Sequence, residues 1–92
     1  MNMKRVVPVT KTVDIGKGYR IIEIDAPSFF WEKSLKGLNL GALCQIDVLL
    51  IKRKNPPQTI ILLSADEIIR KRDTLILAGH ADSLNKIINN KA

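Results

Sequence analysis

Aromatic residues make up only 4% of this 92-residue sequence, and there is one cysteine and one histidine. Each shortage excludes something. With so few rings, the core must be built from Ile, Leu and Val. Cys44 alone allows neither an intramolecular disulfide nor a cysteine metal cage. It follows Ala42 and Leu43, an apolar context that predicts a structural thiol. His80 has no ligand set around it, because Asp82 by itself cannot complete a metal site. A surface or capping role is expected for it. No signal peptide and no apolar run of membrane-spanning length is present, so the expected setting is cytoplasmic.

Catalytic constellations are also missing. Asp66 and Glu67 are adjacent, and neighbours on a helical turn point to different sides, so they cannot face each other as an acid/base pair. Gly16-Lys17-Gly18 lacks the full phosphate-loop pattern and precedes a strand rather than a helix. These absences predict a non-enzymatic protein without a metal or cofactor.

What the sequence has is aliphatic strand pattern and positive charge. The hydrophobic fraction is 46% and the formal net charge is +6. One small domain of this length struggles to bury its apolar surface alone, which predicts a homodimer. The positive balance favours acidic partners: nucleic acid, anionic lipid or a phosphate ligand. No aromatics interleave with the basic clusters and no helix-turn-helix spacing occurs, so support for nucleic-acid binding is the charge alone.

Residues 1–5, MNMKR, read as a frayed basic start, and Val6–Val13 as an edge strand or extended arm, because Pro8 cannot donate to a ladder. Residues 1–18 are therefore assigned to an N-terminal arm or linker, and 19–92 to a folded domain. Gly16 and Gly18 mark a turn. Tyr19–Asp25 alternates as a strand, ended by Pro27. Phe29, Phe30 and Trp31 follow in a row, and at least one is expected at a partner surface. Ser34 is a candidate N-cap for a short helix carrying Leu35, Leu38 and Leu40, kept irregular by Gly37 and Gly41.

Ile46–Lys52 is the strongest strand, and its run Val48-Leu49-Leu50-Ile51 predicts burial on both faces. Lys54–Pro57 is a turn and Thr59–Leu63 the returning strand of a hairpin. Residues 66–69 suggest one helical turn, Arg70–Asp73 a polar turn and Thr74–Ala78 the last strand. Asp82 or Ser83 can cap a final helix with Leu84, Ile87 and Ile88 on one face. The predicted class is α+β: a small, mostly antiparallel sheet with a short helix after the first strand and a C-terminal helix, dimeric.

The order of these pieces resembles the C-terminal domain of the RCK/Trk potassium-uptake regulators, over residues 19–88. The features that carry the resemblance are Ile24-Asp25-Ala26-Pro27, Glu32-Lys33-Ser34-Leu35 and Leu38-Asn39-Leu40-Gly41. They continue as Ile46–Arg53 and then Arg72–Gly79. The resemblance implies a non-catalytic, dimeric regulatory domain of a potassium or other monovalent-cation transport system. It also implies a partner RCK nucleotide-binding domain and a membrane transporter or channel, and a dimer cleft that takes a small anionic effector such as cyclic di-AMP. Carried over position by position, that cleft would be lined by Leu40, Gly41, Asp47, Val48 and Leu63.

Two of these depart from effector-binding members. Gly41 stands where those members have arginine, and Asp47 where they have asparagine. The first removes a phosphate-pairing fork and the second sets a carboxylate against a diester. The expectation is that cyclic di-AMP does not bind in the usual way. Lys52, Arg53, Arg70 and Arg72, brought together by a dimer, would form an anion-attracting rim. A nucleic-acid-binding or transcription-regulator-associated module is the alternative.

Overall fold

Burial alternates without a break along the strand Thr74–His80 (β5), with Leu75, Leu77 and Gly79 on the enclosed face. Period-two alternation of this kind marks a central strand covered on one side. The computed structural model describes residues 7–89. The expected basic start at residues 1–5, and Val6, lie outside them.

Four further strands flank β5 in one antiparallel sheet: β1 (Val9–Gly16), β2 (Tyr19–Asp25), β3 (Asp47–Lys54) and β4 (Pro57–Ile60), in the order β1-β2-β5-β3-β4. Leu77 lies opposite Ile22 on β2 and Val48 on β3, and Leu75 opposite Ile24 and Ile51. These rows put the aliphatic sets of three strands on one face. Ile24, Ile46, Ile51, Ile69, Leu75, Leu77 and Leu84 are fully enclosed. Each such side chain stabilises the fold by about 1.5–3 kcal/mol relative to exposure.

Helices cover that face. α3 (Ala81–Ile88) follows β5 directly and buries Leu84 and Ile87. Its N-cap is His80, whose Nδ1 accepts from the Asp82 backbone N–H at 3.2 Å. The capping role expected for His80 is therefore what the ring does. α1 (Leu35–Leu38) opens on Ser34, whose Oγ accepts from the Gly37 N–H at 2.9 Å. The helical segment breaks at Asn39, not at a glycine: Asn39 is left-handed at φ 51°, and α2 (Leu40–Cys44) resumes after it. Asparagine tolerates this conformation better than other side chains because its amide bonds locally. Cys44 is half-buried and packs against the core.

Several expectations are corrected. β1 falls within residues assigned to an arm or linker, yet it pairs along β2 and Val7 is buried, so the sheet begins before Tyr19. β1 is an edge strand, as Pro8 suggested. β3 is not buried on both faces: Leu49 is 37% exposed, beside a register shift between Val48 and Leu50. Helices lie on one side of the sheet only, so the aliphatic run has no second layer to enter. β4 ends at Ile60, leaving Ile61 65% and Leu62 90% exposed.

Residues 66–69 form no helical turn. Their backbone pairs instead with the chain before α1: Leu35 N–H donates to the Glu67 carbonyl, Ile69 N–H to Lys33 and Glu32 N–H to Ile69. Tertiary pairing satisfies groups that a single isolated turn, with its costly nucleus, could not. The three consecutive aromatics all pack locally. Phe30 is buried, Phe29 meets it edge-on at 4.9 Å, and Trp31 donates its indole N–H to the Ala26 carbonyl at 2.8 Å. Phe29 and Trp31 remain half-buried.

Candidate functional site

Where the chain leaves α2 and enters β3, it lines one side of an open groove of about 230 Å³ with Leu40, Gly41, Ile46, Asp47 and Val48. The left-handed Gln45 (φ 58°) makes the corner that sets Ile46 inward, 2% exposed, and leaves Asp47 at the mouth. The opposite wall is Leu63, Ser64 and Ala65, and Leu35 closes the end. All five residues proposed for the cleft, Leu40, Gly41, Asp47, Val48 and Leu63, therefore meet around one groove. A neighbouring groove, lined by Ile15, Tyr19 and Ala78 among others, shares Gly41, Ile46 and Asp47 with the first.

The lining of the first groove is aliphatic apart from the Ser64 hydroxyl and the Asp47 carboxylate, and among the described residues Asp47 is the one charged side chain in either groove. Among the described residues, no side chain hydrogen-bonds or ion-pairs with Asp47. The arrangement can bind through apolar contact and through acceptance of N–H or O–H groups.

Within one chain, the four basic residues proposed as a rim lie apart. Adjacent residues of a strand face opposite ways. Lys52 lies on the open face and pairs with Glu23 at 3.1 Å. Arg53 points to the covered face and is only 8% exposed. Its Nε donates to both Asp73 oxygens at 3.3 Å, its Nη1 to Glu67 at 3.2 Å, and its Nη2 to the Ile68 carbonyl. A guanidinium so engaged is structural, not a free rim charge. Arg70 and Arg72 are exposed in the turn before β5, and none of the four lines the groove.

The Arg53 cluster was missed from the sequence. Asp73 is buried, its carboxylate 3% exposed, and it also accepts from the Arg70 N–H at 2.9 Å. Residue parity carries the missing signal: Arg53 is two residues beyond Ile51 and so shares its core face. The cluster fixes the segment that supplies Leu63–Ala65. On the open face, the Thr10 hydroxyl, and then the Lys52 ammonium, hold the Glu23 carboxyl below its ordinary value.

No group of His, Cys, Asp and Glu among the described residues could hold a metal ion, and no helix among them is long and apolar enough to cross a membrane. No family model matches the chain, and no curated protein does. Solved structures do. The chain is similar to the RCK C domain of the potassium transport protein KtrA, in complex with cyclic di-AMP. Identity is 28%, the TM-score is 0.69, and the match covers 76% of this chain and 80% of that one. It shares its fold with the GsuK RCK domain, at 17% identity and TM-score 0.67, and with the GsuK channel bound to NAD, at 17% and 0.66. It spans only 16% and 13% of those two longer chains.

Proposed function

We propose that the chain is an RCK C-terminal-like domain, a non-catalytic, ligand-sensing and dimerisation module of a potassium or other monovalent-cation transport system. The observation that carries this reading is the convergence of Leu40, Gly41, Asp47, Val48 and Leu63 on one groove, in a fold shared with a KtrA domain that binds a nucleotide effector. Exposed aliphatic residues lie beside that groove in the chain: Leu43 at 74%, Ile61 at 65% and Leu62 at 90%. Apolar surface of this kind favours association. A second copy would cover it and turn an open groove into a shared cleft.

The mechanism is population shift. A ligand in the cleft favours one arrangement of the paired domains, and the preference passes to an RCK nucleotide-binding domain and then to a membrane transporter or channel. The site of action is cytoplasmic, beside the membrane. The nucleic-acid alternative has the charge alone in its favour, and the structural neighbours are regulators of potassium transport.

Two measurements test the proposal. Sedimentation equilibrium should give a dimer that Leu62→Lys dissociates without loss of the folded circular-dichroism spectrum. Rubidium uptake in cells deleted for the gene should be restored by the gene with its native sequence and not by one carrying Val48→Arg, which fills the groove. A monomer at high concentration, or uptake that is indifferent to deletion, refutes it.

A further inference from the structure

An ionised carboxylate only accepts hydrogen bonds. Asp47 is exposed at the mouth of the groove, without a partner among the described residues, and is the only charged side chain lining it. The neighbouring groove opens on the same carboxylate. Among the described residues, no Lys or Arg lines either one. Of the three cations of β3, Lys52 pairs with Glu23 and Arg53 with Glu67 and Asp73, and Lys54, at the opposite end of the strand from Asp47, lines neither groove. A phosphate entering here would meet one repelling charge and no countercharge, whereas an N–H donor would meet a ready acceptor beside an aliphatic wall.

We propose that this groove selects a ligand presenting N–H donors on an apolar body, as an organic ammonium or an amine-bearing ring, and rejects a phosphate at Asp47. The inference rests on the groove being a ligand site, and it reverses the ligand charge that the protein's net +6 would suggest. The overall field attracts anions to the surface at long range. Selection inside the groove is a short-range difference of affinities, set by which groups are left unpaired. Leu40, Val48 and Leu63 would hold the apolar body, and Asp47 would accept from the donor.

The test is a titration of the 92-residue chain followed by the backbone amide signals of Gly41, Asp47 and Val48. The probes are benzylamine, adenosine, inorganic phosphate and cyclic di-AMP. The variants are Asp47→Asn and the double variant Gly41→Arg/Asp47→Asn. A Cβ at Gly41 meets no atom within 4 Å, so the backbone there accepts a side chain. Benzylamine or adenosine should shift the groove amides of the native chain. A benzylamine response shows an ammonium partner and should weaken by up to roughly fivefold in Asp47→Asn. A response to adenosine alone shows a neutral ring amine.

Phosphate and cyclic di-AMP should leave the native groove unshifted, and the dinucleotide should bind the double variant. Binding of cyclic di-AMP to the native groove as tightly as to the double variant overturns the selection while leaving the groove a ligand site. Absence of any amine response in the native chain overturns the donor preference, even where the double variant gains the dinucleotide. No groove shift with any probe in any of the proteins removes the site itself.

Discussion

Arg53→Met should be the most damaging single change outside the aliphatic core. The guanidinium is 8% exposed and the Asp73 carboxylate 3% exposed, so water reaches neither freely. Methionine keeps most of the buried stem and removes the charge. Asp73 would retain the Arg70 N–H as a partner and lose its countercharge. Glu67 would lose the Nη1 bond, and the Ile68 carbonyl its Nη2 donor. Removing one member of a buried ion pair typically costs about 3–5 kcal/mol, most of it the desolvated charge left behind.

A domain of this size has roughly 5–15 kcal/mol in total. At about 4–8 °C per kcal/mol, the melting temperature should fall by at least about 12 °C. The decisive assay is a double-mutant cycle by urea unfolding. Asp73→Asn keeps an oxygen to accept from Arg70 but has no charge to strand. The pair Arg53→Met/Asp73→Asn should therefore be more stable than the sum of the single losses, by about 1–3 kcal/mol. Additive losses, or a cost below about 1 kcal/mol for Arg53→Met, would show that the carboxylate does not depend on this guanidinium.

Three further outcomes are expected. Ser34→Ala removes the acceptor for the Gly37 N–H and should cost about 1 kcal/mol, read as a lower urea midpoint at an unchanged slope. Gly18→Ala should destabilise more than Gly16→Ala. Both glycines have positive φ, but a Cβ at Gly18 would lie 2.5 Å from His80 Nε2 and push the ring off the cap of α3, whereas one at Gly16 meets nothing within 4 Å. Equal melting temperatures for the two variants would refute that distinction. Glu23 has its folded pKa lowered from 4.5 by the Thr10 hydroxyl first and Lys52 second. Its contribution is complete above the unfolded value and is lost as pH falls through the lower folded value. Unfolding midpoints between about pH 3 and 6 should therefore flatten in Glu23→Gln, and a native-like slope in that variant would count against the ion pair.

The parts of the fold that could be read from the sequence are those fixed by local rules. The aliphatic run Thr74–Ala78, ended by Gly79, predicts β5, the serine at 34 predicts a cap, and Gly16 and Gly18 predict the first hairpin turn. Long-range competition decided the rest. Residues 66–69 have a helix-like pattern, but the chain before α1 offers partners for their N–H and C=O groups, and the longer ladder wins. The aliphatic run at Val48–Ile51 is compatible with burial on either or both faces. Only the placement of all three helices decides between them, and a β3 strand cannot encode where α3 will lie.

The site divides along the same line. Leu40, Gly41, Ile46, Asp47 and Val48 sit in one continuous stretch at the entry to β3, so local order brings them together, whereas Leu63–Ala65 reach the groove from beyond β4. Proximity in sequence is not proximity in space on a strand: Lys52 and Arg53 are neighbours that face opposite sides of the sheet. Arg53 then finds Glu67 and Asp73, fourteen and twenty residues away. Nothing in either acidic residue's own neighbourhood announces that contact. A buried arginine requires carboxylate company, so once the core-facing parity of Ile51 is extended to residue 53, an acidic partner has to come from elsewhere in the chain. Reasoned in that order, the alternation of β3 turns what looked like a surface cation into the clamp that holds the groove's far wall.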